Sequence, residues 1–327
     1  TMLPQLSNAA TFARRSSLPH LPVPSLSSTC AKWLKSVRPF FHDNSLDESR
    51  ARALIDDLLQ PGGVGERAQA ALEHKAATEE NWLTDWWEKY AYLAHRGPLP
   101  PVESSQTLMP ARSGTPLADG GLPRLAQLQR AASLVAALRA MYGEVHAETM
   151  CPDAIPMRSA SGKRHLLPAC MAQYRNLFRS SRIPGQVVDT SSRLFATASE
   201  EEHLPPHERY EPFVIVAFNG RFYQLFTDTI DGVPQSLSQL EREFEQLHQR
   251  GVDAGVAPLA EQVGWLPAAP RAEWAAVRAA MIAHSPRNAE SFDTLCNALC
   301  VIALDTNAPV GDAERYVAAA AGCVLSA

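Results

Sequence analysis

The sequence lacks the features that mark several large classes of protein. None of its 327 residues belongs to an apolar run of 18 or more, so no segment is predicted to cross a bilayer as a helix. Its six cysteines include no Cys-x-x-Cys pair, which argues against a disulfide framework and indicates a reducing compartment. The formal net charge is −5, so no basic field attracts nucleic acid, and no nucleic-acid partner is predicted.

Metal-ligating and catalytic patterns are also scarce. His203 and His207 form the only close histidine pair, and two consecutive prolines between them exclude the helical spacing that a metal pair needs. Cys296 and Cys300 could share a helix face, but we interpret them as buried or unremarkable thiols and not as a metal or redox pair. There is no nucleophile elbow, Walker loop or His-Glu-x-x-His helix. The sequence therefore predicts no metal site and contains no stand-alone catalytic motif.

The overall composition is that of an ordinary folded protein. Hydrophobic residues make up 46% and charged residues 20%, and the length allows about two domains at roughly 150 residues each. Residues 2–42 contain no acidic side chain but several Arg, Lys and Ser residues. This bias is typical of a mitochondrial targeting segment and also fits a solvated tail, so residues 1–17 are interpreted as one or the other.

The N-terminal part is predicted to be helical after an extended start. Three prolines in residues 18–24 fix an extended path. Residues 45–59 have the spacing of an amphipathic helix that Pro61-Gly62-Gly63 would end, and a second helix is predicted over residues 66–75. Residues 97–123 are rich in Pro, Gly and Ser, which predicts an irregular crossing or a linker.

A β-hairpin is the clearest local prediction. Residues 213–218 and 221–226 are rich in β-branched and aromatic side chains. They flank Asn219-Gly220, the pair that best tolerates the positive φ angles of a type I′ turn. An interaction module that uses the free edge of this hairpin is a minor alternative function.

Helices and a buried strand are predicted around the hairpin. An Ala- and Leu-rich helix is expected over residues 125–141, and a shorter helix over residues 275–283. A capping box that begins at Ser236 starts another helix, which Gly251 would close. Residues 299–304 are apolar and partly β-branched, which favours a buried strand. The mixture predicts an α/β fold with at least one antiparallel pair.

Several blocks of residues in a fixed order resemble the choline/carnitine acyltransferase family. The resemblance extends from about residue 18 to about residue 325 and is weaker between residues 250 and 290. The blocks are Leu18-Pro19-His20-Leu21-Pro22-Val23-Pro24-Ser25-Leu26, Gly62-Gly63-Val64-Gly65-Glu66-Arg67, Glu80-Asn81-Trp82-Leu83 with Trp86-Trp87, Ala91-Tyr92-Leu93 and Arg96, and Cys170-Met171-Ala172-Gln173-Tyr174 with Ser180-Ser181-Arg182-Ile183-Pro184-Gly185 and Asp189.

The resemblance implies a fold and a reaction. The fold would be like that of chloramphenicol acetyltransferase: a mixed sheet flanked by helices in each of two α/β domains, with a tunnel between the domains. The reaction would move an acyl group between coenzyme A and the hydroxyl of carnitine or choline, with coenzyme A thioester as co-substrate and no resident cofactor. Such chemistry needs a general base for the alcohol proton and a donor that holds the oxyanion.

One departure from the family pattern affects the catalytic expectation. The family's catalytic histidine follows an Ala-Gly pair, and here Ala321-Gly322 is followed by Ser326 at the matching position. A serine without a base of its own stays protonated and weak. We therefore expect this chain, taken alone, to be inactive, with no catalytic residue assigned and an incomplete two-domain architecture. Two interpretations remain: an incomplete acyltransferase, or a non-catalytic binding or regulatory protein that retains the N-terminal domain.

The resemblance also implies site residues. Trp87 and Tyr92 match the family's aromatic residues on the carnitine side of the tunnel, where ring faces attract a trimethylammonium group. The alternative is that Trp87, Tyr92 and most of the neighbouring aromatics are core residues. Arg182 is interpreted as structural and is expected to pair with a nearby carboxylate.

The sequence further predicts domains, partners and location. Residues 18–75 are expected to form a helical segment that packs on a second domain, and residues 76–327 an N-terminal acyltransferase domain. Apolar faces of the helical segment would otherwise be exposed, so self-association is expected. The predicted partners are carnitine and acyl-CoA, and the predicted location is mitochondrial or peroxisomal.

Overall fold

The computed structural model describes residues 18–42, 45–99, 124–159, 161–205 and 209–304, without the side chains of 124–126. It divides into two compact units, of which the N-terminal unit ends at Tyr92 and the C-terminal unit begins at Leu93. None of the described helices is both long and apolar enough to cross a membrane. The domain boundaries predicted from the sequence, 1–17, 18–75 and 76–327, stay predictions.

The N-terminal unit is a small cluster of helices that pack on one another after an extended start, which confirms the extended segment and both predicted helices. Gly65 has to be a glycine, because a Cβ atom at this position would lie 2.1 Å from the carbonyl oxygen of Leu58. Only glycine lets the third helix begin so close to the end of the second. The elements are α1 (Leu26–His42), α2 (Glu48–Leu58), α3 (Val64–Thr78), α4 (Thr84–Trp87) and a π-helical turn (Glu88–Leu93).

Large apolar side chains of this unit remain in contact with solvent. Burial of a leucine side chain stabilises a protein by about 1.5–3 kcal/mol, so a partner surface that covered these side chains would add substantial stability. Self-association through these faces stays a prediction. The exposed side chains on α1 to α3 include Trp33, Phe40, Leu54 and Val64.

The described residues of the C-terminal unit form a mixed α/β body with three small sheets. Its sheets pair β1 with β2, β3 with β4, and β6 with β5 and β7 in that spatial order. The elements are α5 (Arg124–His146), β1 (Ala154–Arg158), β2 (Arg164–Pro168), β3 (Ser180–Ile183), β4 (Thr190–Arg193), α6 (Ala198–Glu201), β5 (Phe213–Phe218), β6 (Arg221–Phe226), α7 (Leu237–Asp253), α8 (Arg271–His284), α9 (Pro286–Asn297) and β7 (Val301–Ala303).

The largest sheet confirms the predicted hairpin and a strand within residues 299–304, but that strand, β7, is half-buried to exposed and not buried as expected. β5 and β6 form an antiparallel hairpin, and positive φ angles of 51° at Asn219 and 74° at Gly220 are those that the Asn-Gly pair was expected to supply. β7 lies parallel to β5 on its other edge, within the apolar segment 299–304. Helices α5 and α7 pack together and contribute to the core. Its fully buried members include Val135, Val214, Val216, Leu240, Phe244 and Leu247.

Helix α7 confirms one prediction and corrects another. Its capping box is present, with Gln239 Oε1 accepting from the backbone N–H of Ser236 at 2.9 Å. Gly251 does not close the helix, which continues to Asp253. A Cβ atom at Gly251 would lie 2.4 Å from Cδ1 of Phe218, so the glycine permits close contact between the helix and the hairpin. It is a packing residue and not a cap.

A buried carboxylate ties distant parts of the C-terminal unit together. Asp189 Oδ2 accepts from Nε of Arg182 and from Nε of Arg271, each at 2.7 Å. Asp189 Oδ1 accepts from Nη1 of Arg96 and from the backbone N–H of Gly185, each at 3.0 Å. The side chains of Asp189 and Arg271 are fully buried. The expected carboxylate partner of Arg182 is therefore Asp189.

The charge balance fixes the ionisation of this carboxylate. Burial raises the pKa of Asp189, but the Gly185 amide and the guanidiniums of Arg271, Arg182 and Arg96 outweigh it, so the pKa lies below its ordinary value. Asp189 is thus ionised at neutral pH and serves as counter-charge to three cations.

We predict that Gly251→Ala destabilises the protein by about 1–3 kcal/mol, because the methyl group overlaps the Phe218 ring. Gly143→Ala is the matched control inside α5, since its Cβ atom would meet one atom only, Nη1 of Arg139 at 3.2 Å. Arg139 is held to Asp228 through Nε and Nη2, so the small shift that it must make offsets part of the about 0.5–1 kcal/mol by which a helix favours alanine over glycine, and this variant should lose much less stability than Gly251→Ala. Urea denaturation measures both. Equal effects would contradict the role given to Gly251.

We predict that Asp189→Asn costs about 3–5 kcal/mol near pH 7, because it leaves three partly or fully buried guanidiniums without a counter-charge. A depressed pKa stabilises the fold above the ordinary Asp value, and this contribution is lost as pH falls through the folded pKa. The difference in free energy of unfolding between wild type and variant should therefore shrink below about pH 4.

Asp231→Asn is the control for this prediction, because it removes the same charge at an exposed turn position. Its effect should stay within about 0.5 kcal/mol. A pH-independent loss in Asp189→Asn, or a loss of similar size in Asp231→Asn, would show that the carboxylate charge is not what stabilises the fold.

Candidate functional site

Trp87 and Tyr92 form an aromatic pair at the end of the N-terminal unit. Trp87 is the last residue of α4, and Tyr92 lies in the π-helical turn that follows. A π-helix bonds residue i to residue i+5, so side chains five residues apart approach one another more closely than in an α-helix. The ring centroids are 6.2 Å apart, with an interplanar angle of 77°. This edge-to-face arrangement lets one ring present its negative face to a ligand.

The two rings are exposed, which corrects one expectation. Trp87 is 58% exposed and Tyr92 is 54% exposed. Trp86 and Tyr90 are exposed as well, so the prediction that most of these aromatics belong to the core is wrong. The site role predicted for Trp87 and Tyr92 needs rings that a ligand can reach, and this exposure supplies them.

Ammonium groups already lie over neighbouring rings of the segment. Lys75 Nζ is 5.3 Å from the centroid of Trp86, and Lys89 Nζ is 5.4 Å from that of Tyr90. Both distances fall within the range of cation–π attraction. Two rings next to the Trp87 and Tyr92 pair are therefore already in contact with cations of the chain itself.

Residues just before the aromatic pair hold its helix in place. Asn81 Oδ1 accepts from the backbone N–H of Leu83 at 3.0 Å and from that of Thr84 at 3.2 Å, which caps the start of α4. Trp82 Nε1 donates to the carbonyl oxygen of Leu21 at 3.2 Å. The indole thus anchors the extended proline-rich segment, so Asn81 and Trp82 have structural roles.

A second polar cluster lies in the C-terminal unit and was not predicted. The ring of Tyr142 stacks on that of His146, with the ring centroids 5.5 Å apart. Nε2 of His146 lies 3.1 Å from Oε2 of Glu201. The guanidinium of Arg179 lies 3.6 Å from the ring centroid of Tyr210. Burial raises the pKa of both tyrosines above the usual value, so their hydroxyls stay protonated at neutral pH.

The geometry of Arg179 explains why the sequence does not reveal this cluster. Its φ angle is 53°, an unusual value for a non-glycine residue, and the strained turn before β3 aims the side chain inward. Its Nη2 donates to Oδ1 of Asn297 at 2.7 Å. This bond joins the turn to the last residue of α9. No local sequence signal marks such a left-handed arginine.

Cys296 and Cys300 are ordinary, half-buried thiols. Cys296 lies in α9, but Cys300 comes after the helix has ended, so the two do not share a helix face. Burial raises the pKa of Cys300 to about 11 and raises that of Cys296 as well, which keeps both thiols protonated. Among the described residues, no group of three or more His, Cys, Asp or Glu side chains could hold a metal ion.

Some predicted features fall on residues that the structure leaves out. Ser326, the Ala321-Gly322 pair and His207 lie outside the described residues, as does most of the predicted linker 97–123. The described part therefore contains the aromatic pair and not the position matched to the family's base.

Comparison with known proteins places the chain in a family. The family model described as choline/carnitine O-acyltransferase matches residues 21–324. The chain is 29% identical to the carnitine O-acetyltransferase of Columba livia over 94% of its own length and 44% of that protein. It is 28% identical to the human carnitine O-acetyltransferase over 96% of the chain and 45% of that protein. It is 31% identical to the human choline O-acetyltransferase over 90% of the chain and 36% of that protein.

These relatives bear on how much of a whole enzyme is present. The chain spans less than half the length of each of the three proteins. The match covers most of both compact units and, apart from Leu18-Pro19-His20, the blocks of residues that carried the resemblance. The chain therefore belongs to the choline/carnitine O-acyltransferase family.

Proposed function

We propose that the protein takes part in the transfer of a short acyl group between coenzyme A and carnitine. The observation that carries the proposal is the exposed, edge-to-face pair of Trp87 and Tyr92, to which we assign contact with the trimethylammonium group. Family membership supports this assignment. We also propose the architecture of chloramphenicol acetyltransferase, of which the C-terminal unit with its mixed sheet would form part of one α/β domain.

The chemistry of carnitine explains why aromatic rings suit this role. Its trimethylammonium group has no N–H donor, so a carboxylate cannot bind it through hydrogen bonds, whereas a ring face attracts it by about 0.5–2 kcal/mol. Choline has the same group, and the aromatic pair does not distinguish the two alcohols. We favour carnitine because two of the three relatives are named carnitine O-acetyltransferase.

The transfer itself needs a base that the resemblance matches to position 326. The carnitine hydroxyl attacks the thioester carbonyl, the new C–O bond forms, and the C–S bond breaks with the thiolate of coenzyme A as leaving group. A base removes the hydroxyl proton and delivers it to that thiolate. Trp87 and Tyr92 would position the alcohol and not move this proton.

A mitochondrial or peroxisomal location is part of the proposal. The mitochondrial alternative is supported by the absence of acidic residues from positions 2–42, together with their Arg and Ser content. The peroxisomal alternative is supported by similarity to a relative named peroxisomal carnitine O-octanoyltransferase. A non-catalytic carnitine-binding role is the alternative function, and both functions require the same aromatic pair.

We predict that the chain binds L-carnitine and that Trp87→Leu weakens binding about 2- to 30-fold, the range that corresponds to one cation–π contact. The carbon analogue of carnitine, with tert-butyl in place of trimethylammonium, should bind more weakly than carnitine by a similar factor. Isothermal titration calorimetry measures each affinity.

Trp33→Leu is the matched control, because Trp33 is an exposed tryptophan of the same unit on α1. It should leave the affinity unchanged. Equal affinity for carnitine and its carbon analogue would contradict the proposed ammonium site. An equal loss of carnitine affinity in both tryptophan variants would contradict it as well.

We predict that a chimera that continues from Val324 into the C-terminal half of human carnitine O-acetyltransferase transfers acetyl groups to carnitine. The described units would supply the aromatic pair, and the human half the base. Release of free coenzyme A thiol measures the rate. In the chimera, Trp87→Leu should raise KM for carnitine more than it lowers kcat. The 327-residue chain is assayed beside it, and specific turnover there would refute the inactivity expected from Ser326.

A further inference from the structure

The hairpin of β1 and β2 is the most exposed regular structure in the described part of the C-terminal unit. Its register pairs Ala154 with Pro168 and Arg158 with Arg164, and every residue of both strands is exposed. The turn between the strands is closed by a hydrogen bond from the backbone N–H of Ser159 to the carbonyl oxygen of Lys163, at 2.9 Å. No other described helix or strand packs closely against either strand.

Apolar side chains lie on both faces of this hairpin. Residues directly opposite each other in an antiparallel pair point to the same face. Ile155 and Leu167 share one face with Met157, and Leu166 lies on the other. Ile155 is 52% exposed and Leu166 is 56% exposed. A two-stranded hairpin alone in water is marginally stable at best, so a surface that covers these side chains would stabilise it.

The charge of the hairpin is of one sign. Arg158 and Arg164 face each other across the strands, with Lys163 beside them at the turn, and residues 154–170 contain no acidic side chain. None of the three cations has an ion-pair partner among the described residues. Like charges directly opposite in a sheet repel each other. The local charge is opposite in sign to the net −5 of the whole chain.

We propose that the β1–β2 hairpin binds the surface of an anionic phospholipid membrane. Phosphate groups would neutralise the opposed arginines, and Ile155, Leu166 and Leu167 would enter the boundary between headgroups and acyl chains. Charge complementarity selects an anionic surface. Apolar side chains on both faces favour lipid over a protein partner, because a protein surface covers one face of a flat ribbon, whereas lipid can surround both. The unpaired backbone edges keep the hairpin at the interface and out of the hydrocarbon core.

The experiment is co-sedimentation of the full chain with vesicles of phosphatidylcholine alone and of phosphatidylcholine mixed with phosphatidylglycerol. Binding should require phosphatidylglycerol and weaken as salt rises to about 0.15 M, where charges are screened beyond about 8 Å. The double variant Arg158→Gln/Arg164→Gln, which removes both arginine charges, should bind the phosphatidylglycerol vesicles about 30-fold more weakly than wild type. Leu166→Ser should weaken this binding about 10-fold.

Matched control variants distinguish binding through the hairpin from nonspecific adhesion of the chain to vesicles. Arg242→Gln/Arg250→Gln removes the same charge from exposed positions of α7, and Ile230→Ser removes a fully exposed apolar side chain from another loop. Both should bind vesicles as wild type does, and circular dichroism checks that every variant is folded.

Three results would overturn the proposal. The first is a folded chain that does not bind the phosphatidylglycerol vesicles, or binds both kinds of vesicle equally. The second is loss of binding in the controls equal to that in the hairpin variants. The third is a dimer, seen by sedimentation velocity and dissociated by Leu166→Ser, in a chain that ignores vesicles, since the hairpin would then be an interface between copies.

Discussion

The C-terminal unit depends on one buried negative charge. Asp189 accepts hydrogen bonds from three arginines that lie far apart in the sequence, at positions 96, 182 and 271. A buried ion cluster of this kind contributes little net stability compared with a hydrophobic core, because desolvation offsets most of the attraction. Removal of the single anion is different, since it leaves several cations unpaired. The cluster therefore specifies which segments meet, and the hydrophobic core supplies most of the stabilisation.

Much of the fold could be predicted from the sequence where the signal is local. Asn219-Gly220 requires positive φ angles, and the capping box at Ser236 needs only residues three apart, so the hairpin and the start of α7 follow from short-range chemistry. The β1–β2 and β3–β4 pairs were not predicted. The residues of β1 and β2 are exposed on both faces, so these strands lack the alternation of apolar and polar residues that marks a half-buried strand.

The errors have a common physical cause, which is that tertiary contact decides what a residue does. Gly251 looks like a helix cap in sequence, but the ring of Phe218 across the core requires a residue without Cβ there. The aromatics around Trp86 were expected in a core that the described residues do not provide. The candidate site was predicted only by resemblance, because nothing in the composition separates Trp87 from Trp82.

The structure separates these two tryptophans by the contacts that they make. Among the residues that carry the resemblance, Gly65 allows two helices to meet, Asn81 caps α4, and Trp82 hydrogen-bonds to the extended segment. Their contacts inside the N-terminal unit account for their presence. Trp87 and Tyr92 instead expose more than half of their surface, as Tyr90 and Leu54 of the same unit also do. Exposure therefore makes the two rings accessible to a ligand but does not by itself mark them as a site, so the proposed ammonium contact depends on family membership and on the binding measurements.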